Sequence, residues 1–96
     1  MSPVLAGADR AAALASLSGW VERDDGSSLF REFVFRDFAE AFAFMTQVAL
    51  AAERLEHHPD WTNRWNRVEI TLSTHESGGL TERDIALAHE IDRAAL

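Results

Sequence analysis

Cysteine, lysine and tyrosine are missing altogether from this chain. Without cysteine there are no disulfides, no iron–sulfur ligation and no thiolate nucleophile. Without lysine there is no Schiff-base amine, and without tyrosine no phenolic acid or base. All nine basic side chains are arginine, and they are scattered rather than clustered. Against sixteen acidic residues they leave a net charge of −7. Non-specific nucleic-acid binding needs a basic footprint, so no nucleic-acid partner is expected. No apolar run is long enough to cross a bilayer. The N-terminus, Met1-Ser2-Pro3-Val4-Leu5-Ala6-Gly7, lacks the basic start and apolar core of a signal peptide. The expectation is a cytoplasmic protein with no membrane contact. At 96 residues, 47% hydrophobic, it reads as one domain over 1–96, small enough that oligomerisation is a common supplement to its core.

What is present is histidine, carboxylate and hydroxyl. Three of the four histidines lie in two stretches, Glu53-Arg54-Leu55-Glu56-His57-His58-Pro59-Asp60-Trp61 and Ser73-Thr74-His75-Glu76. The fourth, His89, belongs to the C-terminal helical pattern and reads as a surface or core-edge residue. Pro59 disfavours the helical conformation at the residue before it, so a helix arriving here stops near His57 or His58.

Along the chain, the alanine-rich stretch from Asp9 to Leu17 predicts a short helix, with Asp9 able to cap it and Gly19 as a stop. Trp20 to Arg23 and Leu29 to Phe35 read as strands, joined by a turn at Asp24-Asp25-Gly26-Ser27-Ser28. Asp37, with Glu40 three residues on, opens a long helix running to about His57. At about a hundred degrees per residue, Phe38, Ala41, Phe42, Met45, Val48, Ala49, Ala52 and Leu55 share a broad apolar arc. Phe44 and Leu50 fall outside it. Either a partner subunit covers them or they tuck under the first helix. Trp65 to Thr74 is the clearest strand, with Val68, Ile70 and Leu72 on one side and Arg67, Glu69, Thr71 and Ser73 on the other. Gly78-Gly79 forms a turn, and Thr81 with Asp84 begins the last helix, whose stripe is Ile85, Ala88, Ile91 and Ala95. The order α-β-β-α-β-α predicts an α+β fold, a small antiparallel sheet with helices packed on one face.

The chemistry open to these residues is narrow. Adjacent histidines diverge on a helix or a strand, and no HExxH motif occurs, so no metal site is expected. Nothing marks Ser73 or Ser77 as an activated nucleophile. General acid–base work fits best. Glu53 and His57, four apart, would share a helix face and meet. Trp61 and Trp65 offer flat apolar surface, though tryptophan is more often core or interface. Asp60 and Glu76 read as solvated loop charges, and Asp84 as a capping residue.

The stretch from Glu53 to Trp61, then Asn66 to His75, then Gly79-Leu80-Thr81-Glu82-Arg83-Asp84, closely resembles the pterin-4a-carbinolamine dehydratase family. Upstream, Phe33-x-Phe35-x-Asp37-Phe38 and Ala41-Phe42-x-Phe44-Met45-Thr46-x-Val48-Ala49 resemble the same family's strand and long helix. The likeness runs from Gly19 to about Ile91. It implies dehydration of 4a-hydroxytetrahydropterin to the quinonoid dihydropterin, which recycles the cofactor of aromatic amino-acid hydroxylases, with no metal or organic cofactor. It implies His57, His58 and His75 as active-site residues, with His57 and His75 as the acid–base pair and His58 holding the pterin ring. On this resemblance Glu53 tunes His57, and Asp84 supports the His75 side. The Ser73-Thr74-His75 backbone hydrogen-bonds the pterin, and Trp61, with Trp20, forms an aromatic wall. It also implies a homodimer or a homotetramer built through the long helix, 38–57. Trp65 stands where the family often has tyrosine, and the arm before Gly19 matches weakly. Two other readings belong to the same fold: a non-catalytic dimerisation module, as in animal members that partner a homeodomain transcription factor, and a pterin-binding protein of molybdenum cofactor metabolism.

Overall fold

The sheet is built around β4 (Arg67–Leu72), whose alternation drives Val68, Ile70 and Leu72 fully into the core. The computed structural model describes residues 2–96. In chain order the elements are α1 (Gly7–Ala15), β1 (Val21–Arg23), β2 (Ser28–Val34), α2 (Phe38–Leu55), β3 (Asp60–Arg64), β4 and α3 (Glu82–Ala94), with a single 3₁₀ turn over His75–Ser77. The four strands pair antiparallel in the order β1-β2-β4-β3. Register sets Leu29, Arg31 and Phe33 of β2 beside Leu72, Ile70 and Val68 of β4, and Trp61 of β3 beside Ile70. Those side chains face α2 and α3. Phe33 packs on Phe44 of α2 at 4.9 Å, and Arg31 bonds Asp92 of α3 at 2.8 Å. The α+β fold with helices on one sheet face is therefore as the pattern predicts.

Several details differ. β3 is a strand that the sequence pattern did not separate, because Asp60-Trp61-Thr62-Asn63-Arg64 carries one apolar residue and alternates only between half-buried and exposed. Its identity comes from its ladder with β4, not from its own composition. Trp65 is not a strand residue. It sits at φ 51 in the two-residue turn between β3 and β4 and is 62% exposed. α1 begins at Gly7, so Asp9 lies in its first turn and Ala6 takes the cap position. Gly19 does not end α1. It makes room for a neighbour instead, since a Cβ there would stand 2.5 Å from the Arg31 guanidinium.

The core face of α2 is rotated from the expected arc. Ala41, Phe44, Val48, Ala51 and Ala52 are buried, whereas Phe38 and Phe42 are about half exposed. The apolar arc is wider than the sheet and α3 can cover, and the large Phe44 ring takes the inner place against Phe33 and Phe35. So Phe44 tucks against β2 and the residue after it, not under α1, and Leu50 stays exposed. Asp37 caps the helix by accepting from the Glu40 N–H at 2.9 Å. At the other end α2 stops at Leu55, two residues earlier than expected. Glu56 turns left-handed at φ 53, its N–H reaches Glu53 O, and the His57 N–H reaches Ala52 O at 3.1 Å. That pair of bonds is a Schellman turn, and it swings His57 inward and leaves His58 outside.

Candidate active site

Each of the three histidines in this region has a carboxylate partner of its own. His57 Nε2 lies 2.6 Å from Asp84 Oδ1, and both side chains are buried. His58 Nε2 lies 3.2 Å from Glu53 Oε2, with both side chains largely exposed. His75 Nε2 lies 3.7 Å from Asp60 Oδ2 and 3.2 Å from Ser73 Oγ, again exposed. Two of these partnerships differ from the expected ones. Glu53 meets His58 rather than His57, because α2 ends before a fourth residue can stack over Glu53. Asp84 meets His57 rather than standing at His75 directly.

Asp84 is fully buried and fully engaged. Its Oδ2 accepts from the Thr81 N–H at 2.9 Å and from the Thr74 hydroxyl at 2.7 Å. The Thr74 and Thr81 hydroxyls are 2.8 Å apart, and the Arg83 N–H donates to Thr81 Oγ1 at 3.2 Å. The capping box expected at Thr81 and Asp84 is present, and the same carboxylate that closes it holds His57. Thr74 has no group free for a ligand. Its N–H goes to Gly79 O, and its carbonyl accepts from Ser77 and Gly78. That closes the 3₁₀ turn carrying His75 and leaves the imidazole outside.

His75 lines a cleft of about 370 Å³ on the open side of the sheet, together with Asp60, Thr71, Ser73 and Gly79. A second hollow of about 320 Å³ shares Asp60 and Thr71 and adds Trp61, Phe30 and Glu69. Of the expected site residues, Ser73 and His75 line the first and Trp61 the second. His57, His58, Glu53 and Asp84 line neither. Trp20 does not stand with Trp61. It is buried ahead of β1, at the opposite edge of the sheet, and its indole N–H donates to Asp92 Oδ1 at 2.9 Å.

Sequence reasoning passed over two residues. Asp60 is placed beside His75 by its register opposite Thr71, which parity would have revealed had β3 been recognised. Arg83 donates to the Glu56 carbonyl and, at 3.2 Å, to Glu76 Oε1. It ties the residue before His57 to the residue after His75, and no local pattern announces that. Among the described residues, no three His, Asp or Glu side chains are grouped so as to hold a metal ion.

The family model for pterin 4 alpha carbinolamine dehydratase matches residues 3–94. This chain belongs to that family. A Sinorhizobium fredii protein named for pterin-4-alpha-carbinolamine dehydratase is 57% identical over 82 residues, covering 85% of this chain and 78% of the relative. A protein of Afipia carboxidovorans with the same name is 50% identical over 95 residues, covering 99% and 95%. Among solved structures, a transcriptional coactivator/pterin dehydratase from Brucella melitensis superposes with a TM-score of 0.90 at 44% identity, over 97% of this chain and 99% of that one. A pterin dehydratase-like protein identified as a RuBisCO assembly factor in the alpha-carboxysome gives 0.69 at 29% identity, over 80% and 89%.

Proposed function

We propose that this protein dehydrates 4a-hydroxytetrahydropterin to the quinonoid dihydropterin by histidine general acid–base catalysis. The observation that carries the reading is the one-to-one pairing of three histidines with three carboxylates, in a chain of the dehydratase family. The reaction loses hydroxide from C4a and a proton from N5, so one group must protonate the departing oxygen and another must take the N5 proton. His57 and His75 are the acid–base pair. His58, aligned by Glu53, holds the pterin ring. Trp61 supplies an apolar wall, and the backbone at Ser73 and His75 offers hydrogen bonds. Asp84 and Thr74 act through His57. The step needs no metal and no organic cofactor. We place the reaction in the cytoplasm, in tetrahydropterin recycling for aromatic amino-acid hydroxylation, with residues 1–96 working as one domain.

The protein works as a homo-oligomer in this reading, a dimer or a tetramer, with the outer face of α2 as the contact. Phe38, Phe42 and Leu50 are 47%, 55% and 66% exposed there. A second reading, a binding module that has kept the fold, draws on the coactivator and assembly-factor names of the two solved relatives and on that same exposed face. Stopped-flow absorbance on freshly made 4a-hydroxytetrahydropterin separates the two. Wild-type protein should accelerate dehydration well beyond the spontaneous reaction. A rate equal to the spontaneous one would leave the binding module as the better account.

A further inference from the structure

We infer that His57 works through the lone pair of Nδ1, as an Nε2–H tautomer fixed by Asp84, and that Thr74, backed by Thr81, is the positioning residue that orients the Asp84 carboxylate behind it. The directions of the buried hydrogen bonds leave little freedom. The Arg83 and Thr81 N–H groups are donors only. Asp84 Oδ2 only accepts, so it takes the single Thr74 hydroxyl proton, and the Thr81 hydroxyl, which accepts from the Arg83 N–H, must donate its own proton to Thr74 Oγ1, 2.8 Å away. The same Asp84 Oδ2 also takes the Thr81 N–H. Two donors at the N-terminus of α3 suit a carboxylate. A carboxylate only accepts, so the His57 nitrogen 2.6 Å from its other oxygen carries the proton. In the neutral ring Nδ1 is therefore bare.

Among the described residues Nδ1 has no hydrogen-bond partner, and no buried side-chain nitrogen or oxygen is left unpaired. Nδ1 therefore reaches solvent although His57 is 7% exposed. One nitrogen is spent on orientation and the other is presented outward. The Thr74 hydroxyl decides which Asp84 oxygen is left for His57.

The consequence for rate rests on the dehydratase reading, whereas the tautomer does not. Nitrogen-15 NMR of the histidine rings, at the alkaline end of the titration, reads the tautomer without any turnover. In the wild type His57 should show a protonated Nε2 and an unprotonated Nδ1. Asp84→Asn should invert this. Thr74 and the Thr81 N–H hold the amide oxygen, so the amide NH₂ faces His57 Nε2 and drives the proton to Nδ1. Its dehydration rate should fall by about 10²–10⁴-fold, as expected when a base is held in the wrong tautomer. Thr74→Val should shift the His57 Nε2–H resonance and lower kcat by about fivefold with KM within about twofold, the scale of one hydrogen bond. Thr74→Ser should restore both.

A wild-type His57 protonated at Nδ1 would overturn the inference even if the protein were an active dehydratase. So would Thr74→Val with an unchanged resonance. A wild-type Nε2–H signature in a protein with no dehydration activity would overturn the functional reading and leave the tautomer assignment standing. The wild-type spectrum decides the tautomer even if Asp84→Asn does not fold.

Discussion

His57 and His75 occupy opposite environments. His57 is 7% exposed, locked to a fully buried carboxylate and joined through it to two threonines and the start of α3. His75 rides on a 3₁₀ turn at the rim of a cleft, with its side chain 81% exposed and a carboxylate 3.7 Å away. One imidazole is part of the fold as well as of the proposed site. The other belongs to the proposed site alone. A buried polar network is costly to break, because each partner left behind is unpaired in a poorly solvated place. An exposed pair is screened and contributes little to stability. The two halves of the site should therefore answer differently to the same kind of substitution.

The largest effect should come from Asp84→Ala. It strands His57, the Thr74 hydroxyl and the Thr81 N–H together and removes half of the capping box, costing about 3–5 kcal/mol in urea unfolding. His75→Ala should leave the urea midpoint unchanged and lower dehydration by about 10²–10⁴-fold. If the two variants lost stability equally, the contrast between the histidines would be broken.

Arg83→Ala sharpens the comparison, because Arg83 spans the two regions. Its guanidinium holds the Glu56 carbonyl next to His57 and the Glu76 carboxylate next to His75. Loss of this tie should lower kcat/KM by about tenfold through misplacement of the histidines, with a stability cost near 1 kcal/mol. The smallest effect should be that of Glu53→Gln on the exposed His58 pair. Stability should change by no more than about 0.5 kcal/mol, and only KM for the pterin should rise. A stability loss as large as that of Asp84→Ala would mean that the outer pair is structural after all.

What the sequence disclosed follows the same division. The alternation of Val68, Ile70 and Leu72 and the caps at Asp37 and Thr81 are local signals with local causes, and they placed β4, α2 and α3. The three histidines were visible through their order with proline and the Gly-Leu-Thr motif. Their partners were not. Helical spacing pairs Glu53 with His57, but the Schellman turn at Glu56 ends α2 first and reverses the chain. Asp60 was hidden because β3 has almost no pattern of its own and exists through its ladder with β4. The rotation of the α2 core face toward Phe44 depends on which rings β2 offers, which is a tertiary fact. Arg83 reaches across residues remote in sequence, and no spacing rule encodes that reach.

The most direct test pairs the dehydration rate of His75→Ala with its unfolding curve, both against the wild type. We expect a rate close to that of the spontaneous reaction from a protein whose unfolding curve superimposes on the wild type. A variant that unfolds like the wild type and still dehydrates 4a-hydroxytetrahydropterin at the wild-type rate would contradict the account, because the exposed half of the site would then have no part in the chemistry.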